Sequence, residues 1–222
     1  MERIPEPELM TEDDQAQAYA LADFEEAHNR MIEAFGELSP SLPDNGYAVD
    51  LGCGPGDIAC RFASRYPGWR VDGVDASPAM LGYGPIIVER YPGVATRVRF
   101  VEGLLPDCAL PRETYDVVLS NSLLHHLADS QVLWTAVRRL AGRGALVLIM
   151  DLVRPAAEDV VDDMVEQYAR GEPEVLRRDF ANSLHAAYRV DEVESQLVEA
   201  RLRWLAVRMV TDRHMVVSGM AP

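Results

Sequence analysis

The chain has 222 residues, 48% of them hydrophobic, and carries a formal net charge of −15, enough for one domain with a sizeable core and too acidic to favour a phosphate backbone as partner. No apolar run approaches the ~18 residues of a membrane span, and all 21 basic residues are arginine, which excludes Schiff-base and pyridoxal chemistry and the lysine of a P-loop. Cys53, Cys60 and Cys108 lack metal-site spacing, and the acidic start Met1–Gln15 lacks a signal-peptide pattern, so the expectation is a cytoplasmic protein with reduced thiols.

Apolar residues recur at helical spacing over residues 11–38, and a Pro/Ser-rich break from Ser39 to Gly46 follows. Tyr47–Leu51 reads as a strand, Gly52-Cys53-Gly54-Pro55-Gly56 as a turn, and residues 58–66 as a helix. A second strand, Trp69–Asp75, runs into Ser77-Pro78, a helix cap followed by proline at the first helical position. Gly82, Gly84 and Pro85 interrupt that helix after one or two turns. Further strands are predicted at Val98–Val101, Tyr115–Asn121 and Gly144–Leu152, with a proline-bounded loop over 106–114 and a helix from Asp129 to Leu140. Residues 156–187 show two helical patterns parted by Gly171-Glu172-Pro173; a helix from Asp191 to Ala200 and a hairpin of Arg203–Val210 with Met215–Gly219 close the chain.

The chemistry concentrates at the strand tips. A strand feeding a glycine turn that opens a helix is a ligand cradle, but the spacing is G-x-G-x-G and Asp50 precedes the first glycine. That acid disfavours a pyrophosphate and suits a cationic ligand. Asp75, at the second tip, is placed to accept both hydroxyls of a ribose, since Ser77 supplies the cap of the next helix. Asn121 is followed at once by Ser122 and the pair His125-His126, and the fifth tip offers Asp151 and Arg154. These last two either face the pocket or form a local ion pair.

YAVDLGCGPGD, Tyr47 to Asp57, resembles motif I of class I S-adenosylmethionine-dependent methyltransferases, and DASPAML, Asp75 to Leu81, resembles the second motif of that family. NSLLHHL, Asn121 to Leu127, and the terminal hairpin are similar to the small-molecule members. The resemblance implies a doubly wound, mostly parallel seven-stranded α/β sheet with helices on both faces and an antiparallel last strand. It implies S-adenosylmethionine as cofactor, held by Asp50, Gly52, Cys53, Gly54, Gly56 and Asp75, with Ala76, Met80, Gly103 and Leu104 near the adenine and Asn121 and Ser122 at the amino-acid end. Leu104 stands where many relatives place an aspartate. His125 and His126 are the implied catalytic residues. Tyr19, Arg154, Asn182, His185 and His214 are acceptor-site candidates, Asp23, Phe24 and Arg213 secondary ones, and no metal is expected. Residues 1–46 would form a helical lid and 156–187 a helical insertion over the acceptor, all within a single domain spanning 1–222. The function implied is methyl transfer to a small molecule, with neither nucleic acid nor membrane as partner, by a monomer or homodimer. Two alternatives are a non-catalytic cofactor-binding subunit and an enzyme using a carboxylated cofactor, for which Arg154 is the candidate clamp.

Overall fold

A computed structural model describes residues 1–6, 13–22, 24–38 and 43–222. Its strands are β1 (Gly46–Leu51), β2 (Trp69–Asp75), β3 (Val98–Glu102), β4 (Tyr115–Asn121), β5 (Ala141–Leu152), β6 (Ala206–Met209) and β7 (His214–Met220). They form one seven-stranded sheet in the order β3-β2-β1-β4-β5-β7-β6. Only β7 runs against its neighbours, pairing antiparallel with both β5 and β6, so β6 is parallel to the rest. The order reverses between β1 and β4, and ligand crevices in such sheets open outside the carboxyl ends of the strands at that switch point.

The helices are α1 (Asp13–Leu21), α2 (Glu25–Leu38), α3 (Asp57–Arg65), α4 (Pro78–Leu81), α5 (Gly84–Glu89), α6 (Gln131–Leu140), α7 (Glu158–Tyr168), α8 (Glu174–Ala186) and α9 (Val190–Glu199). The alternation of β4 shows how the sheet divides the core. Val117 and Leu119 face α2 and α3, joining Met31, Phe35 and Phe62; Val118 faces the other way, joining Leu133, Trp134 and Leu197 of α6 and α9. Phe35 meets Phe62 edge to face, ring centroids 5.0 Å apart, so α2 is pinned on α3 by an aromatic contact of favourable geometry.

Two expectations change. The predicted helix over 11–38 is broken into α1 and α2 around Ala22–Phe24. Residues five apart on one helix point in different directions, and the break lets Tyr19 and Phe24 stack, centroids 4.7 Å apart, on one wall of the same cavity. Asp23 lies outside the described residues. The expected interruption at Gly82 and Gly84 is present, α4 ending at Leu81 and α5 starting at Gly84, where a Cβ would sit 2.6 Å from the Phe100 ring. Finally, β6 is shorter than the predicted Arg203–Val210, because Arg203 and Trp204 lie in a turn and Leu205 is buried in the core ahead of the strand.

Candidate active site

The tips of β1, β2, β4 and β5 open into a cavity of about 530 Å³, within the size range of small-molecule sites. Its floor is the glycine turn. Gly52, Gly54 and Gly56 have φ of 67°, 54° and 94°, a left-handed region that L side chains avoid. Gly52 and Cys53 donate their N–H groups to the Val74 carbonyl, at 2.8 and 2.9 Å, which sews the turn to β2. Gly56 stands apart: a Cβ there would meet the Phe100 ring at 2.2 Å, and the residue is absent from the cavity lining. It is a packing glycine behind the turn.

Asp50 and Asp75 are the two acids of this floor. Asp50 is 1% exposed, and among the described residues neither carboxylate oxygen has a partner at full hydrogen-bond geometry, the Ala59 amide making only a weaker approach. Burial, reinforced by the charges of Asp75 and Asp57 and only partly offset by the Ala59 amide, pushes it up to about 7. Asp75 is not free of other duties, contrary to the sequence argument. One oxygen accepts from Gly54 N at 2.8 Å and the other from Ser77 N at 2.8 Å, while Ser77 Oγ caps α4 as expected. Each oxygen keeps a lone pair, so the carboxylate is fixed rather than consumed. Ala76, Met80, Gly103 and Leu104 continue the wall from there. Leu104 is 65% exposed.

At the β4 tip, Ser122 takes φ of 55°, a strained conformation for a non-glycine residue and one that clusters at functional sites. Its N–H donates to Met150 O at 2.9 Å, and the buried Oδ1 of Asn121 accepts no hydrogen bond among the described residues. The chain then makes a 3₁₀ turn, Leu124–His126. This carries His125 inward, 2% exposed, with Nδ1 at 2.6 Å from Asp151 Oδ1. Asp151 is held in turn by the N–H groups of Leu124 and Leu152, at 2.7 and 2.8 Å. Burial opposes the charge on His125, but Asp151 outweighs it and the imidazole's pKa is raised. Burial likewise opposes the charge on Asp151, yet His125 and the Leu124 N–H hold its pKa down. His126 lies against His125, centroids 4.3 Å apart.

Glu6 completes the cluster and was not singled out from the sequence. It receives a hydrogen bond from Ser183 Oγ at 3.1 Å and approaches both histidines. Arg3 anchors the segment by donating to the His125 and Leu127 carbonyls at 2.9 and 3.0 Å, its guanidinium 4.0 Å above the Tyr188 ring. No periodicity marks so short a stretch, so nothing in the sequence announced it.

Leu176, Asp179, Phe180 and Ser183 of α8 line the cavity, spaced i, i+3, i+4 and i+7 on one helical face. Asn182 and His185 of that helix fall elsewhere. Asn182 is exposed. His185 ties α8 to α7, with Nδ1 2.6 Å from Ala181 O and Nε2 2.8 Å from Glu158. Arg154 is likewise outside the cavity lining. Its guanidinium donates to Ala187 O at 2.8 Å and pairs with Glu192 at 2.5 Å, because the first turn of α9 brings that acid to the β5 end. Asp151 therefore pairs with His125 and not with Arg154. Tyr19, Arg213 and His214 do line the cavity. Burial, helped by the neighbouring Arg213 charge, pulls His214 down to about 4.

Residues 49–147 match a family described as a methyltransferase domain. Among curated relatives, the trans-aconitate 2-methyltransferase of Escherichia fergusonii is 29% identical over 114 residues, covering 47% of this chain and 38% of that protein. The chain thus spans well under half the length of the curated relatives it matches. Among solved structures, an S-adenosylmethionine-dependent methyltransferase from Aquifex aeolicus superposes with a TM-score of 0.67 at 19% identity, covering 94% of this chain and 99% of that one. A protein from Methanococcus maripaludis, described as a putative methyltransferase of the same dependence, gives 0.70 at 13% identity over 100% and 98%. The matched residues run from the second half of β1 through the glycine turn into β5, and the solved folds extend the likeness through the reversed last strand. The chain thus carries a methyltransferase domain over residues 49–147 and shares the fold of solved S-adenosylmethionine-dependent methyltransferases.

Proposed function

We propose that the chain transfers a methyl group from S-adenosylmethionine to a small-molecule acceptor at the His125–Asp151 pair. The observation that carries this is one continuous cavity lined both by the buried Asp50 carboxylate and by His125, whose Nδ1 is held from behind by Asp151. The donor set fits the cofactor. Asp50 offers a buried carboxyl that an ammonium would hold ionised, Asp75 offers two fixed lone pairs to vicinal hydroxyls, and the glycines leave room where a Cβ on Gly52 would lie 2.7 Å from Leu123. When bound, the cofactor supplies an activated methyl on a sulfonium, transferred in line.

The protein's own part is to orient the nucleophile and exclude water. For an acceptor that must lose a proton, His125 takes it and Asp151 fixes the tautomer and stabilises the imidazolium. In this reading α1–α2 and α7–α8 act as lid and acceptor roof. The roof brings Leu176 and Phe180 together with Glu172 and Asp179, while Arg213 is already paired with Asp212 at 3.1 Å and lies 3.3 Å over Tyr168. That balance supports a neutral or cationic acceptor with an apolar body, unlike the polyanion in the names of the curated relatives. The carboxylated-cofactor alternative loses its residue, since Arg154 is committed to Glu192.

The test is calorimetry with S-adenosylmethionine and NAD, followed by methyl-transfer assays on a panel of neutral, cationic and anionic acceptors that includes trans-aconitate. Binding of the first ligand alone, lost in Asp75→Ala, and turnover of a neutral or cationic acceptor are expected. NAD binding in its place would reject the transfer reading; turnover of trans-aconitate would reject the acceptor class.

A further inference from the structure

Glu6, His125 and His126 present one carboxylate oxygen and two imidazole nitrogens that all lie within 4.8 Å of one another. Glu6 Oε1 is 3.6 Å from His125 Nε2 and 3.3 Å from His126 Nδ1. A tetrahedral ion with arms of about 2.0–2.2 Å sets neighbouring ligand atoms roughly 3.3–3.6 Å apart. The two separations from Glu6 already match that spacing, and the two imidazole nitrogens lie within 4.8 Å of each other.

The surroundings are built as a ligand set requires. Asp151 occupies His125 Nδ1 at 2.6 Å, which directs the proton to that nitrogen and turns the lone pair of Nε2 toward Glu6; a carboxylate behind a ligating histidine is the usual supporting partner. Ser183 steadies Glu6. The side chains of Glu6, His125 and His126 are 11%, 3% and 12% exposed, so the pocket they make is shielded. Arg3, bonded to the His125 and Leu127 carbonyls, and Ile4, whose N–H donates to His185 O at 3.1 Å, dock the segment that brings Glu6 in. His125 and His126 also line the large cavity, which leaves a coordination position open to water or to an oxygen of an acceptor.

We propose that Glu6, His125 and His126 form a binding site for a divalent transition-metal ion of the zinc class. Two imidazoles and a carboxylate are borderline donors that suit zinc, cobalt, nickel or ferrous iron, whereas magnesium and calcium prefer all-oxygen sets. Metal and proton compete for His125 Nε2. Empty, the site leaves His125 as a base; filled, it is a Lewis-acid centre on the acceptor wall. Metal binding as such stands on these three residues and does not depend on the transfer reading, so either can fail alone.

The test uses the full chain stripped with chelator, without cofactor, and titrated with Co²⁺ while its visible spectrum is followed. Saturation at one equivalent is expected, with the intense d–d bands of a tetrahedral nitrogen–oxygen set, displacement by Zn²⁺ and indifference to Mg²⁺. Glu6→Gln and His126→Ala should abolish the bands without changing the circular dichroism of the metal-free protein. Asp151→Asn should weaken Co²⁺ about 10–100-fold. No binding by folded parent protein, unchanged binding in the Glu6→Gln/His126→Ala double variant, or thiolate charge-transfer bands from the cysteines would each overturn the inference.

Discussion

Asp50 is the residue on which the cofactor end turns. Its carboxyl is pushed up to about 7 without a ligand, chiefly by burial, and an ammonium beside it would restore the charge. Binding should therefore release a proton below that pH, and affinity for S-adenosylhomocysteine should rise with pH through about 7 and then level off. Asp50→Asn should bind about 10–100-fold more weakly above pH 7, as expected for a lost charge-assisted hydrogen bond, and with a flat pH profile. Calorimetry in two buffers of different ionisation heat reads both the affinity and the proton. A second residue-scale prediction separates binding from chemistry. Asp151→Asn keeps the size of the side chain but removes the anion that fixes His125, so kcat should fall about 10²–10⁴-fold while cofactor affinity stays within about twofold. If the acceptor needs no deprotonation, kcat will hardly move.

At the scale of elements, the glycine turn divides into a ligand face and a packing face. Gly54 has φ of 54°, and a Cβ there would meet only the flexible Met80 Cε at 3.3 Å. Gly54→Ala should cost about 1–2 kcal/mol in backbone strain and show its larger effect as weakened cofactor binding. Gly56 has φ of 94° and a Cβ would lie 2.2 Å from the Phe100 ring, with β3 fixed behind it. Gly56→Ala should lower the melting temperature more than Gly54→Ala, and thermal melts of the two ligand-free variants decide it. This division also marks how far the sequence could be read. The order β1–glycine turn–α3–β2 was legible because alternation, capping and glycine spacing are local; the tip position of Asp75 and the Ser77 cap followed from them, while the reversed β7 was implied by the family resemblance. Which glycine faces a ligand was not, because that depends on Phe100, 44 positions away in the chain. Arg154 was misassigned for the same reason: its partner, Glu192, arrives on α9 from a distance. The α8 stripe of Leu176, Asp179, Phe180 and Ser183 was available in the helical period, yet polar residue type drew attention to Asn182 and His185 on other faces.

Across the whole molecule, the buried acids decide how stability follows pH. The chain carries −15, with acids crowded toward its amino-terminal part, so self-repulsion grows as carboxylates ionise. Asp50 adds a specific contribution. Its folded pKa, about 7, lies above the ~3.9 of an unfolded aspartate, so between those values the folded chain keeps a proton that the unfolded chain has released. The stabilisation is complete below the unfolded value and is lost as pH rises through about 7. Asp57 and Asp151 act in the opposite sense. Burial alone would raise both, but His28, with Tyr91 and Arg61, holds Asp57 down, and His125 holds Asp151 down; their contributions are present above the unfolded value and vanish on acidification below it. The ligand-free protein should accordingly be most stable in mildly acidic solution, with a melting temperature that declines toward pH 7.5. Added salt screens the surface repulsion but not a carboxylate that is 1% exposed, so part of that decline should persist in salt and disappear in Asp50→Asn. Saturating S-adenosylhomocysteine, whose ammonium would pair with the ionised acid, should remove the same part in the parent and add about 2.7 kcal/mol at a hundredfold excess over Kd. Melts of parent and Asp50→Asn across pH, with and without salt and ligand, separate the buried charge from the surface field; a decline that salt abolishes entirely, or that Asp50→Asn retains in full, removes Asp50 from this role.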